Sequence, residues 1–369
     1  MRIRALSHPY ALRRLALFIL MAAGAAASPA TACTSFCFDT PDGPVFGGNM
    51  DLRWGDGLVF VNTRGVEKAA YMLNSEGEPA QWTSEYGSVT FNLVGIELPW
   101  GGMNEAGLVA GTMQFLGTEY PPADRRFPMS SGTMVQYLLD TCADIDEVIT
   151  ALESIRLRGD AVHFLFADET GACLIVEYLQ GEMVLYEGEN LPVRALANAA
   201  YGDCLRYLEH GVRPEFNPGR SAERVAAAAH WTGRYDPAEG IAPTDWALGV
   251  LTEAVVDPKK WYKIVFRGPY TRWSIAYDIA RREIRFRTVD HAPVRSLSFA
   301  NLDFECGGPV QMLDVNAELE GPVENAMRPF DAELNFHVAS RFLDRWGSQL
   351  EDEQVRELID FLAGFECAE

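Results

Sequence analysis

Ala30-Thr31-Ala32-Cys33-Thr34-Ser35-Phe36-Cys37-Phe38-Asp39 is the point at which the chain changes character. Upstream, residues 1–32 carry Arg2, Arg4, Arg13 and Arg14 and no acidic residue, then an apolar run from Leu15 to Ala27. A basic start, a short apolar stretch and a small-residue A-x-A site are the parts of a secretory signal peptide, so cleavage is expected between Ala32 and Cys33. The apolar run is too short for a membrane span, which needs about 20 residues. The adjacent Arg13-Arg14 also fits a twin-arginine export signal.

Downstream, the pattern turns to short β-type runs broken by Asp-Gly or Gly turns. Strands are expected over 34–39, 45–49, 58–62, 88–94 and 107–115. Helical spacing follows over 130–141 and 144–155, the second opening on an acidic cap. Strands resume over 161–166, 173–178, 183–186 and 194–198, the first two joined by the turn Asp168-Glu169-Thr170-Gly171. Helices are expected over 221–231 and 244–255, then a hairpin over 273–278 and 283–288, and two C-terminal helices over 331–346 and 351–363. Strand-rich, helical, then strand-rich again suits stacked sheets flanked by helices. This is an α+β layout, and the lack of strict strand–helix alternation disfavours a doubly wound parallel sheet. No repeat or long linker divides residues 33–369, which read as a single domain with a C-terminal helical extension.

Charge and cysteine usage narrow the function. The chain has 31 basic and 52 acidic residues, and loss of 1–32 would leave 27 basic residues against the same 52, a net charge of −25. Such a surface repels phosphate backbones and anionic lipid, so neither nucleic acid nor, after processing, a membrane is an expected partner. Seven cysteines (33, 37, 142, 173, 204, 306 and 367) are an odd count for an exported chain and point to at least one free thiol. Cys142, Cys173 and Cys204 sit in apolar or periodic stretches and read as buried small side chains. Cys306 and Cys367 are a candidate disulfide that sequence leaves undecided. The six histidines form no H-x-x-x-H or H-x-H spacing, so no metal or other cofactor is expected.

Cys33 is the residue whose chemistry depends on cleavage. A thiol is a good nucleophile only as thiolate, and its free pKa is about 8.5. An α-amine, with a pKa of about 7.7–8.0, accepts a proton readily near neutrality. Freed by cleavage, amine and thiol would sit on one residue, so nucleophile and base need no third group to bring them together. Export would then double as activation.

Cys33-Thr34-Ser35-Phe36, Asp42-Gly43 and Phe46-Gly47-Gly48-Asn49-Met50-Asp51 resemble the start of the choloylglycine hydrolase and penicillin V acylase family, N-terminal-nucleophile hydrolases of linear amides. Gly102-Met103-Asn104-Glu105-Ala106-Gly107-Leu108, the segment 161–177, Leu196-Ala197-Asn198, Ser221-Ala222-Glu223-Arg224 and Thr271-Arg272-Trp273 follow in the family's order. The resemblance covers about 33–288. It implies a four-layer αββα sandwich and a small-molecule amide as substrate. It further implies that Asp51 orients the Cys33 amine and that the Asn198 side chain donates to the tetrahedral oxyanion. The backbone N–H of Gln114, where the family often has Asn, would complete the oxyanion hole. Arg224 would stabilise the thiolate, with Arg220 as the competing arginine. One departure stands out: the family usually has Arg at the position of Gly48, and Arg53 or Arg64 are the candidates to replace that cation.

Trp54, Trp82, Tyr86, Trp100, Phe115 and Tyr120 are candidates for an apolar acyl pocket. Bile-salt conjugates, phenoxyacetyl β-lactams and N-acyl homoserine lactones are the substrate types that the family suggests. Two other readings fit the same residues: an exported binding protein that keeps the pocket without turnover, and a surface lipoprotein acylated at Cys33. A lipoprotein site usually has Leu where this chain has Ala30. The expected location is periplasmic or secreted, and homo-oligomerisation stays open.

Overall fold

Side chains alternate along the first strand, and that alternation sets which way the site faces. Cys33 and Cys37 point into the core between two sheets, whereas Phe36 and Phe38 point outward against helices. The computed structural model describes residues 32–71, 79–254 and 270–368. The expected leader therefore lies, apart from Ala32, outside the described residues.

Two large sheets are stacked. The seven-stranded sheet runs, edge to edge, Ala195–Leu196, Thr34–Thr40, Gly43–Leu52, Tyr270–Asp278, Glu283–Thr288, Arg295–Ser298 and Gly321–Pro322. The nine-stranded sheet runs Glu182–Tyr186, Cys173–Leu179, Val162–Ala167, Val109–Gln114, Pro99–Asn104, Ser88–Asn92, Leu58–Asn62, Gln311–Asp314 and Arg328–Pro329. All neighbours are antiparallel except Arg295–Ser298 with Gly321–Pro322. Phe46, Met50, Phe91, Met113, Leu165 and Trp273 are among the side chains that fill the space between the sheets. Helices Ser131–Thr141 and Ile145–Ser154 cover the outer face of the nine-stranded sheet through Met134, Leu138 and Val148 against Phe164 and Phe166. Helices Tyr201–His210, Ser221–Thr232 and Pro243–Gly249 cover the other through Cys204, Val225 and Leu248 against Phe36 and Phe38. The result is the αββα sandwich. Because both faces of most strands are covered, several are buried throughout, and strict apolar–polar alternation is absent from them.

The expected acidic cap is in place, Asp144 accepting from the Glu147 N–H, and Ser130 caps the preceding helix by accepting from the Thr133 N–H. Two expectations shift. The strand over 194–198 pairs only at Ala195–Leu196, because the chain there turns to present Asn198. The helix over 244–255 is Pro243–Gly249 continued by a π-helical turn, Val250–Ala254, and residue 255 lies outside the described residues. Helix Tyr201–His210 has no expected counterpart, since its N-cap is Ala200 with no side-chain bond and its second residue is Gly202.

C-terminal helices Ala332–Trp346 and Asp352–Ala363 pack on one end of the nine-stranded sheet, against Leu58, Phe60 and Met312. Cys306 and Cys367 form a disulfide, Cα to Cα 5.8 Å, and Cys33, Cys37, Cys142, Cys173 and Cys204 are buried free thiols. Among the described residues no helix is long and apolar enough to cross a membrane.

A buried charge cluster ties loop, strand and helix together behind the sheet. Lys68 Nζ lies 2.9 Å from Glu97 Oε2 and 3.0 Å from Asp140 Oδ2, and Trp82 Nε1 donates to the same Asp140 oxygen at 2.8 Å. Burial pushes Glu97 up to about 7 despite the pull of Lys68. Removing the one cation would leave two carboxylates in a dry site. Lys68→Met is therefore expected to destabilise the fold by about 3–5 kcal/mol. Urea unfolding checks this, and an unshifted midpoint would show that the cluster contributes nothing to stability.

Candidate active site

Strand register brings Cys33 and Asp51 to one end of the seven-stranded sheet. Thr34 pairs with Asn49, and Asp51 pairs across the other side with Thr271. A bulge at Arg272 breaks the second ladder between Thr271 and Trp273, and it re-aims the chain beside Asp51. Cys33 is fully buried and, in the uncleaved chain described here, its nitrogen is a peptide nitrogen. Burial, then the Asp51 charge, push its thiol up to about 12, against the pull of the Asp51 backbone N–H and of Arg224.

Asp51 is itself raised to about 6, mainly by burial, with Arg224 and the nearby Thr271 hydroxyl drawing it down. That hydroxyl closes no hydrogen bond of normal geometry, and Asp51 Oδ1 has no hydrogen-bond partner among the described residues. A buried, unpartnered carboxylate oxygen costs roughly 1–3 kcal/mol, which makes this a place that would welcome a donor.

Arg224 sits one turn into helix Ser221–Thr232 and is buried. Its Nη1 donates to the carbonyls of Ala32 and Cys33 and to Thr34 Oγ1. Its Nη2 donates to Asn198 Oδ1 at 2.8 Å and to Ser221 Oγ at 3.2 Å, and its Nε to the Gly219 carbonyl at 2.8 Å. Gly219 is left-handed at φ 54°, and a Cβ there would stand 2.6 Å from Ala32 Cβ, so only glycine fits.

Asn198 follows the short edge strand and is buried. Its N–H donates to Ser221 Oγ at 3.1 Å, and its Nδ2 donates to the Gln114 carbonyl at 2.7 Å. Gln114 is the last residue of strand Val109–Gln114. The five expected residues thus converge: Arg224 touches Cys33 and Asn198, Asn198 touches Gln114, and Asp51 acts on the Cys33 thiol.

The other arginines stand apart. Arg220, left-handed at φ 59°, is largely exposed and faces Glu223 at 3.7 Å. Arg53 is exposed, and Arg64 is held by Glu105 at 2.6 Å and by Glu305. Gly48 pairs with Ser35, whose Oγ would lie 3.3 Å from a Cβ at position 48.

The expected aromatic set does not converge. Trp82 packs against Tyr137 on the helical side of the nine-stranded sheet, Tyr120 against Tyr178, and Trp54 against Phe342 of the C-terminal helix. Phe115 stacks on His163. Ser221, Thr271 and His163 join the site without having been expected there. His163 had a readable signal, a polar residue at an inward position of an apolar strand. Ser221 and Thr271 open segments that carry the family resemblance, but neither had an expected role of its own; Ser221 Oγ donates to the Pro218 carbonyl and accepts from Arg224 Nη2 and from the distant Asn198 N–H.

The family described as linear amide C–N hydrolases, choloylglycine hydrolase family, matches residues 33–209, beginning at Cys33. The chain is 26% identical over an alignment of 356 residues to a penicillin V acylase of Pectobacterium atrosepticum, covering 84% of this chain and 91% of that protein. It is similar in structure to a penicillin V acylase from Agrobacterium tumefaciens (TM-score 0.65, 22% identity), over 81% of this chain and 98% of that one. It also resembles a conjugated bile acid hydrolase from Clostridium perfringens (TM-score 0.57, 13% identity), over 76% and 96% of the two chains. The structural likenesses show the fold, that of N-terminal-nucleophile hydrolases.

The contrast between the two arginines is testable. A nearby positive charge favours thiolate, so removing Arg224 should raise the Cys33 pKa. In protein beginning at Cys33, Arg224→Ala is expected to move the pH profile of Cys33 alkylation to higher pH, and Arg220→Ala to leave it in place. Coincident profiles for Arg224→Ala and the parent would remove Arg224 from control of the thiol.

Proposed function

We propose that this chain, which matches the choloylglycine hydrolase family of linear amide C–N hydrolases over residues 33–209, uses Cys33, exposed as the N-terminal residue by removal of 1–32, to cleave a small N-acyl compound with an apolar acyl group. The observation that carries this reading is the unpartnered Asp51 oxygen beside a buried Cys33 that has no base of its own before cleavage. A freed amine at Cys33 would supply the missing donor to Asp51. Cleavage would also delete the Ala32 carbonyl, one of the acceptors that occupy Arg224 Nη1.

In this mechanism the α-amine takes the thiol proton while Asp51 holds the amine in place. The thiolate adds to the amide carbonyl. The oxyanion is met by Asn198 Nδ2 and the Gln114 N–H, donors that gain strength as charge develops. The ammonium then gives its proton to the leaving amine as the C–N bond breaks. Water, activated by the same amine, hydrolyses the thioester. Arg224 lowers the cost of thiolate and fixes the Asn198 carboxamide through Oδ1. The location proposed is periplasmic or secreted, supported by the leader-like start and by the Cys306–Cys367 disulfide, which suits an oxidising compartment.

Turnover on a panel of phenoxyacetyl, bile-acyl and straight-chain N-acyl amides, run alongside N-terminal sequencing, tests the reading. Active protein is expected to begin at Cys33, Cys33→Ala to be inert, and Cys37→Ala to keep most activity. Asn198→Ala is expected to lower kcat by about 10²–10³-fold with little change in KM. Activity in a chain with residues 1–32 attached, or equal loss at Cys37, would contradict the mechanism.

A further inference from the structure

His163 and Glu177 are fully buried and have no part in the chemistry above, yet His163 touches the residues next to both oxyanion candidates, Ala197 before Asn198 and Phe115 after Gln114. His163 is on strand Val162–Ala167, whose Leu165 and Ala167 belong to the inter-sheet core. An aliphatic side chain would fill that position without burying polar atoms. The imidazole stacks on Phe115, centroids 4.8 Å apart and planes 19° apart, and Phe115 directly follows Gln114. Nε2 bonds the carbonyl of Ala197, the residue before Asn198. Nδ1 meets Glu177 Oε1 at 2.9 Å, and that oxygen also accepts the Tyr201 N–H at 2.9 Å.

The partners fix the proton count. A carbonyl only accepts, so Nε2 carries a hydrogen. Nδ1 and Glu177 Oε1 then share one proton, held either by the ring or by the acid, and the pair is neutral overall in both cases. A neutral ring protonated on Nδ1 instead would lose the Ala197 bond. The carboxyl group therefore selects the ring form that grips the peptide before Asn198.

We propose that His163 and Glu177 form a positioning unit for the oxyanion hole. The pair holds the Ala197–Asn198 peptide and the Gln114–Phe115 strand end at the separation that lets both donors reach one oxygen. The inference rests on the reading of Asn198 and Gln114 as oxyanion donors. Arg224 orients the Asn198 side chain, and His163 fixes the backbone that carries it. Donors displaced by fractions of an ångström still bind a ground-state carbonyl but stabilise the oxyanion less.

Glu177→Gln keeps size and an acceptor for Tyr201, but its oxygen can bond Nδ1 only by taking a hydrogen from the ring. His163→Phe keeps the stack on Phe115 and removes both hydrogen bonds. In protein beginning at Cys33, assayed on the best amide of the panel, each is expected to lower kcat by about 10–100-fold with KM within about three-fold. The rate of Cys33 alkylation by iodoacetamide is expected to hold, because Arg224 and Asp51 are untouched. Asn198→Ala/His163→Phe is expected to be no slower than Asn198→Ala alone, since the retained stack on Phe115 holds the Gln114 side and the hydrogen bond that is lost acts through Asn198. An unchanged kcat in folded Glu177→Gln, alkylation falling together with kcat, or losses that multiply in the double variant would each overturn the positioning role. Should His163→Phe not fold, Glu177→Gln and Asn198→Ala/Glu177→Gln decide. A normal kcat in Asn198→Ala would instead sink the oxyanion reading itself, which separates the two failures.

Discussion

The buried guanidinium of Arg224 is the interaction on which the site depends. A charge taken out of water must have its donors satisfied, and those acceptors come here from four separate segments. They are residues 32–34 at the start of the first strand, Asn198 after the edge strand, the left-handed turn at 218–219, and Ser221 in the helix itself. Burial pulls the Arg224 pKa down, while Asp51 and Cys33 hold it up. The same side chain thus fixes strand, loop and helix relative to one another and sets the charge balance around the thiol.

That balance in the uncleaved chain favours neutral groups. Burial lifts the Cys33 thiol to about 12 and Asp51 to about 6, so neither ionises as easily as it would in water. Under the proposed mechanism one peptide-bond cleavage changes this: a base appears on the nucleophile, a donor appears for Asp51, and Arg224 loses a competing acceptor. Under the same proposal Gly48 makes the dependence on Arg224 sharper, because the position where the resemblance implies a second cation has no side chain. The aromatic residues that sequence suggested for an acyl pocket are instead spread over both faces of the nine-stranded sheet.

The layers were legible because period and punctuation agree in this chain. Ser130 and Asp144 announce their helices, and the strand over Leu58–Asn62 is bounded by turn signals at both ends. Helix Tyr201–His210 was not legible, since Ala200 offers no cap and Gly202 weakens the propensity. The site was legible as far as residue types and order can carry it. Cys33 was named from its own chemistry, Asp51, Gln114, Asn198 and Arg224 from the family resemblance, and the five meet in space. What sequence could not give is how they are joined. Arg224 bonding to Asn198 Oδ1 spans 26 residues, Asn198 bonding to the Gln114 carbonyl spans 84, and neither leaves a local pattern. The His163–Glu177 pair was half visible: His163 stands out as a polar residue at an inward strand position, but no local pattern joins it to Glu177, 14 residues away.

The sulfur that forms the thioester decides whether Cys33 is the nucleophile. Rapid acid quench of processed protein during turnover of a phenoxyacetyl, bile-acyl or straight-chain amide, followed by peptide mass spectrometry, reads this directly. The predicted result is the acyl mass on the peptide that begins with Cys33, bound through sulfur and lost on treatment with hydroxylamine. Acyl mass on Cys37, Cys173 or any other residue, with Cys33 unmodified while product accumulates, would contradict it.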